Sequence, residues 1–331
     1  MRAAVYSRVG PAAEVLSVVD LPDPVPGPGE VRVRLAWSGV NPSDVKTRGG
    51  LRLKMAFPRI VPHSDGAGVI DRVGADVSPG RIGERVWTWN AQWGRPDGTA
   101  AEYVVLPDAQ AVLLPDTVPL DAGACLGIPA LTAWHAVTMD GGVNGKTVLV
   151  AGGAGAVGHY AVQIAKARGA RLIMATVSGA EKAALAKAAG ADLVVNYREE
   201  DLPGRVREAT GGSGVDRIIE VDFAANAGVD LELVAPEGDI VVYGSGAPQF
   251  SLTFFPLIVK NLRLRFFIVY NLTSDDRRAA VTGVTDLMDA GALVHNIAVR
   301  RPLESIAEAH ELVEQGRVTG NVVLEIATGM R

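Results

Sequence analysis

The sequence predicts an α/β protein in two domains, a β-rich domain first and a doubly wound parallel sheet after it. Three observations carry this prediction. The chain has 331 residues, more than a single hydrophobic core usually serves. Its texture changes near residue 120, from short β-segments punctuated by Pro and Gly to apolar strands alternating with Ala-rich helical patterns. Finally, a glycine-rich loop spans 153–158, where a strand pattern meets a helix pattern.

The first half holds "VRVRLAWSG" and "ERVWTW", short strands set off by turn signals, of which "LPDPVPGPGE" is the densest. Within it, "RIVPHSDGAGVI" places His63 and Asp65 one residue apart before a glycine cluster. Such a pair could hold a metal, move a proton or shape a turn. The second half contains the strand candidates "TVLVA" from 147, "RLIMAT" from 171, "LVVN" from 193, "RIIEV" from 217, "DIVVYG" from 239 and "LRLRFFIVY" from 262. The tail adds two helical patterns and a final strand, "NVVLEI". It could close the second domain or return to the first.

Hydrophobic residues make up 48% and charged residues 21%, the balance of a chain that buries a large core. The net charge of -5 and pI near 5.6 argue against a general phosphate-backbone binder, so nucleic acid is not an expected partner. Cys125 is the only cysteine, which excludes an intrachain disulfide and a thiolate metal cluster and fits a reducing compartment. The segment "MRAAVYSRVG" lacks the apolar stretch of a signal peptide, and no apolar run approaches the roughly 18 residues of a membrane span. The expectation is a cytoplasmic protein with no membrane partner.

In "VLVAGGAGAVGHYAVQIAKARGA", Gly153, Gly155 and Gly158 form G-x-G-x-x-G between a strand and a helix, and another strand follows. That β-α-β context is what a dinucleotide site requires. Gly153 is expected to make the tight turn, Gly155 to let a pyrophosphate approach the backbone, and Gly158 to bring the helix close to the sheet. The helix N-terminus, with Ala156 and Val157, then faces the anion. About 20 residues on, NAD sites carry a carboxylate for the ribose 2'-hydroxyl. Here "MATVSGAEK" offers Ser178 and Lys182 instead, which suit an added 2'-phosphate, although Lys182 also reads as a solvated helix-surface lysine. Tyr197 could cover the adenosine or stand as a half-buried loop aromatic.

The stretches "SGVNPSDVKTRGG", "DGAGVI", "GTAAEYVV", "GACLGIPALTAWHAV", "VLVAGGAGAVG", "VVNYREEDL" and "VDRIIEVDFAAN" together resemble the zinc-free medium-chain dehydrogenase/reductase family, of the zeta-crystallin-like NADPH:quinone oxidoreductase type, over nearly the whole length. The resemblance implies a GroES-like catalytic domain from 1–117 and 269–331 and a Rossmann domain from 118–268. It implies NADPH, gripped at the 2'-phosphate by Ser178, Lys182 and Tyr197. Further cofactor contacts are implied from Thr132 and the loop 153–158, from Tyr243, Gly244 and Ser245, from Phe267, Ile268 and Val269, and from Asn321. It also implies a homodimer paired through "LRLRFFIVY" as the edge strand.

In zinc-bearing relatives, Gly, His and Glu stand before the glycine of the "DGAGVI" stretch. Aligning on Asp65 and Gly66 puts Ser64 on the histidine ligand and His63 on the glycine. Asn41 replaces one zinc cysteine and the second falls around Gly127 and Ile128, so no metal is expected. Asp65 is expected to accept backbone or side-chain hydrogen bonds, with His63 fixing the loop. Asn41 is the expected donor to a carbonyl oxygen that gains charge, and Asp44 would orient it, although "NPSD" also reads as an Asx turn. Arg52 stands where enoyl-reducing relatives place a tyrosine donor. Loss of that acid favours a quinone, whose reduced form takes protons from water, over a 2-enal or enone, although Arg52 could itself act as a catalytic residue by polarising a carbonyl. A non-catalytic NADPH-binding or RNA-associated role is the alternative from another class.

Overall fold

The computed structural model describes residues 1–51 and 54–327, so Arg52 lies outside the described residues. The chain divides into two compact units, one of Met1–Pro129 with His295–Arg331 and one of Ala130–Val294.

The second unit is built on six strands, β1 (Thr147–Val150), β2 (Leu172–Val177), β3 (Leu193–Asn196), β4 (Val215–Glu220), β5 (Val234–Val242) and β6 (Arg263–Phe266). All are parallel, in the order β3-β2-β1-β4-β5-β6, which is the doubly wound dinucleotide-binding arrangement. Every residue of β1 is buried, as a continuous apolar run in a sheet covered on both faces demands. The order reverses between β1 and β4, where such sheets bind ligands. The stretch "LRLRFFIVY" is a strand only over Arg263–Phe266, because β5 ends at Val242 and Phe267 N–H takes its last free carbonyl, at 3.2 Å.

The chain after residue 268 is divided between the two units at residue 294. The helix Ser274–Asp289 packs on the helix Leu131–Thr138, and a Cβ at Gly283 would lie 2.0 Å from the Trp134 ring, so this segment closes the second unit. After Val294 the chain supplies the strands Ile297–Pro302 and Asn321–Glu325 to the first unit. At the other end the first unit runs past 117 to Pro129. The helix Leu120–Gly123 leads into Ala124, whose carbonyl would be 2.1 Å from a Cβ at Gly39.

The first unit is organised by the strand Glu30–Val40, which pairs antiparallel with Asp65–Val73, Tyr103–Pro107 and Asn321–Glu325. Val31, Val33, Leu35, Ile70, Val86 and Leu106 form a buried cluster beside it. Among the described residues, no helix is long and apolar enough to cross a membrane.

Candidate active site

The glycine loop joins β1 to the helix Ala156–Ala167. The left-handed backbone falls on Gly152, with φ 66°, and not on Gly153, so Gly152 is the turn-making residue. Gly153 is needed for packing, since a Cβ there would meet the Ala175 Cβ at 2.6 Å. At Gly158 a Cβ would come within 2.2 Å of the Gly152 carbonyl, which is the close approach of helix to loop expected there. Gly155 is the open one. A Cβ on it would touch only the Gly152 carbonyl, at 3.3 Å. His159 N–H closes the first helical turn on the Gly155 carbonyl, and the N–H groups of Ala156, Val157 and Gly158 lie in the first turn, where a helix offers them no internal acceptor. Backbone donors of a helix's first turn fit a pyrophosphate.

Ser178 directly follows β2, and Lys182 lies one turn into the helix Ala180–Ala189. Lys182 Nζ donates to Ser178 Oγ at 2.9 Å. Tyr197 follows β3, its N–H bonded to the Val177 carbonyl at 3.1 Å and its ring exposed. Adjacent strand tips thus bring Ser178, Lys182 and Tyr197 together, with no carboxylate on the tip of β2. A cavity of about 550 Å³ opens beside them, lined by Gly152, Thr176, Tyr197, Asp222, Glu220 and Asp230 among others. The Asp222 carboxylate is engaged by Gly246 N–H at 2.6 Å.

The remaining expected cofactor residues of this unit cluster at the same strand ends. Tyr243, just past β5, bonds the Glu220 carbonyl through its N–H at 3.1 Å. Burial and the Glu220 charge push its hydroxyl well above the usual tyrosine range. A Cβ at Gly244 would lie 2.2 Å from the Val221 carbonyl, and Ser245 Oγ donates to Ala247 O at 2.7 Å. Phe267 meets His135 edge to face at 4.8 Å between ring centres, Ile268 leads into a short turn begun by the buried Val269, and Thr132 is buried in the helix Leu131–Thr138. Asn321 belongs to the other unit, where its side chain donates to the Asn296 carbonyl at 3.1 Å.

In the first unit, Asn41 ends the strand Glu30–Val40 and caps the helix Pro42–Arg48. Asp44 meets Asn41 in a reciprocal capping box: its carboxylate holds the Asn41 backbone N–H at 2.8 Å, and its own backbone N–H donates to the Asn41 side chain. The side-chain amide is held by Asp65, whose Oδ2 accepts from Asn41 Nδ2 at 2.9 Å and from Ile128 N–H at 3.0 Å. Asp65 therefore takes both the backbone and the side-chain bonds expected of it. It is fully buried. Val322 pairs with Val40, which sets Asn321 beside Asn41 in the sheet. Gly127, near the second zinc-cysteine position, cannot carry any side chain: a Cβ would fall 2.4 Å from Asp65 Oδ1 and 2.5 Å from the Thr88 carbonyl. Among the described residues no group of three or more His, Cys, Asp or Glu could hold a metal.

Residues 27–116 match the family model described as an alcohol dehydrogenase GroES-like domain, and 156–288 match that of a zinc-binding dehydrogenase. The quinone oxidoreductase of Homo sapiens is 32% identical over 328 residues, covering 98% of this chain and 97% of that one. A solved NAD-dependent alcohol dehydrogenase superposes with a TM-score of 0.91 at 33% identity, covering 99% of this chain and 100% of its own. The Escherichia coli quinone oxidoreductase, solved in complex with NADPH, superposes with a TM-score of 0.86 at 26% identity, covering 98% and 100%. With GroES-like and doubly wound units matched along nearly its whole length, the chain belongs to the medium-chain dehydrogenase/reductase family, in its quinone-oxidoreductase-like branch.

Proposed function

We propose that this protein is an NADPH-dependent, zinc-independent oxidoreductase that passes hydride to a quinone or a related conjugated carbonyl. The observation that carries the cofactor is the Ser178–Lys182 pair on a strand tip without a carboxylate, a donor and a cation matched to a 2'-phosphate. In this reading Tyr197 covers the adenosine and the N–H groups of Ala156, Val157 and Gly158 take the pyrophosphate. Thr132, Tyr243, Gly244, Ser245, Phe267, Ile268 and Val269 complete the cofactor's surroundings in the second unit.

Bound NADPH supplies the hydride. The chain's own part is electrostatic. With one Nδ2 hydrogen held by Asp65, the Asn41 amide has a second to donate to a carbonyl oxygen as charge builds on it. Asp44 fixes the main chain beneath that amide. A reduced quinone carries its charge on oxygen and takes protons from water, so no positioned acid is required.

The test is a substrate panel with purified protein and NADPH. Quinones are expected to be reduced faster than 2-enals, enones or simple ketones, and Asn41→Ala to lower turnover roughly ten- to a hundredfold with NADPH binding nearly intact. Reduction of enals with no quinone activity would make the protein an enoyl-type reductase. Silence across the panel with tight NADPH binding would leave a non-catalytic binder. Activity should survive a chelator; one zinc per chain lost together with activity would overturn the metal-free assignment.

The same reading makes the protein a cytoplasmic homodimer. Phe254, Phe255, Val259 and Phe266, on or near the edge strand β6, are all more than half exposed, which supports pairing of that edge with a second copy. Light scattering should give twice the chain mass at micromolar concentration, and a monomer there would refute it.

A further inference from the structure

His63 occupies a conformation that disfavours it. Its φ is 79°, in the left-handed region where glycine sits without cost and a histidine does not. The ring is fully buried and both its nitrogens are bonded, Nδ1 to Ser38 Oγ at 2.8 Å and Nε2 to His310 Nε2 at 2.9 Å.

For neutral rings, only one proton arrangement completes this chain. Thr99 Oγ1 donates to the Asp65 carbonyl at 2.6 Å, and a carbonyl can only accept. The 2.8 Å bond between Ser38 and Thr99 must then use the Ser38 proton. His63 Nδ1 must therefore be the donor to Ser38, and its bare Nε2 accepts from His310 Nε2–H. His310 Nδ1 is left a buried acceptor with no partner among the described residues. Burial holds both imidazoles below the usual histidine range, which keeps them neutral as the arrangement requires.

Every proton in the chain points from His310 toward Asp65. Because the terminal carbonyl has no proton to pass on, the chain cannot feed one to a substrate. It can hold a position. Asp65 is where it ends, and the carboxylate of that residue grips the Asn41 amide.

We propose that His63 is a positioning residue for substrate reduction, acting through Asp65 on the Asn41 amide, with His310 bracing it from the C-terminal helix Ile306–Glu314. The proposal rests on the reading of Asn41 as the donor to the substrate carbonyl.

His63→Gly tests it, since glycine accepts the left-handed backbone while the ring is removed. Turnover is expected to fall about tenfold, with the NADPH dissociation constant unchanged, the pH profile keeping its shape, and added imidazole restoring part of the rate. In an Asn41→Ala background the same change should cost less than about twofold, because the group it positions is gone. A multiplicative loss in the double variant, a displaced kinetic pKa, or wild-type turnover in a folded His63→Gly protein each overturns this proposal alone. Wild-type turnover in Asn41→Ala overturns the donor assignment and this proposal with it. If His63→Gly does not fold, His310→Leu breaks the chain from its outer end and carries the same expectations, imidazole rescue apart.

Discussion

Two buried polar groupings, one in each unit, are satisfied in opposite ways. The first unit hides a chain of neutral rings and hydroxyls, His310, His63, Ser38 and Thr99, in which each donor meets an acceptor. The second unit hides two acids. Glu220, at the end of β4, is fully buried, and Asp230, on the helix Phe223–Leu233, nearly so. Glu220 Oε1 accepts from Asp222 N–H and from Asn226 Nδ2, the latter at 3.0 Å. Glu220 Oε2 and Asp230 Oδ2 find no donor among the described residues. Burial first, and then the Glu220 charge, push the Asp230 carboxyl up to about 8, and burial raises Glu220 as well. The pair thus completes itself with a shared proton taken from solvent. A neutral network carries all its protons at neutral pH, whereas an acid pair depends on the pH to supply one.

The difference has opposite signs in stability. Each histidine has a folded pKa below its unfolded value near 6.5, so its contribution is complete above that pH and is lost as the pH falls toward about 3, the value for His63. Asp230 keeps a proton between 3.8 and about 8 that the unfolded chain has lost, so its contribution is complete below 3.8 and drains away as the pH rises through 8. Asp222 and Tyr243 face the same pair: the Asp222 charge adds to the rise of Glu220, and the Glu220 charge to that of Tyr243.

The broadest expected effect is on the acid side. Stability should fall between pH 6.5 and 3 by on the order of a few kcal/mol, with His63→Gly flattening the part owed to His63. The rest stays, because His310 in the first unit and His135 and His159 in the second are also held low by burial. Urea midpoints measured against pH decide this, and an unchanged acid limb in His63→Gly would remove the contrast. Next comes Asp230→Asn, whose amide gives Glu220 a permanent donor. It should stabilise the protein by roughly 1–2 kcal/mol at pH 5 and by several kcal/mol at pH 8, because the retained proton costs more with each pH unit above 3.8. Equal effects at both pH values would mean that no proton is shared. The smallest effect on stability belongs to the more exposed Ser178–Lys182 pair. Lys182→Ala should change unfolding by less than about 0.5 kcal/mol. It should nevertheless weaken NADPH by roughly 1–2 kcal/mol and leave NADH alone. Equal loss for both cofactors in direct binding titrations would contradict the 2'-phosphate assignment.

The cofactor unit was legible because its signals are local. A strand, a glycine loop and a helix follow one another within 147–167, and Ser178 and Lys182 are four residues apart, so periodicity and spacing suffice to read them. Even there the sequence could not say which glycine turns the chain: Gly152 does, and Gly153 is needed because Ala175 packs against it from the neighbouring strand. The residues around Asn41 were only partly legible. Asn41 and Asp65 could be singled out, but that the Asp65 carboxylate accepts from the Asn41 amide follows from pairing between strands, which brings together residues 24 apart, and Ile128 joins from 63 positions away. His310 carried no signal, since its bond to His63 spans 247 residues. Nor did the Glu220–Asp230 pair, which forms only when a helix folds back on a buried strand end. Composition, strand pattern, glycine spacing and the absence of thiolates were determined by the sequence alone, because each is a property of residue type or of near neighbours. Which buried polar atoms meet, and therefore which are neutral, protonated or poised to donate, was decided by tertiary structure, because a hydrogen bond depends on ångström-scale distances that only long-range packing sets.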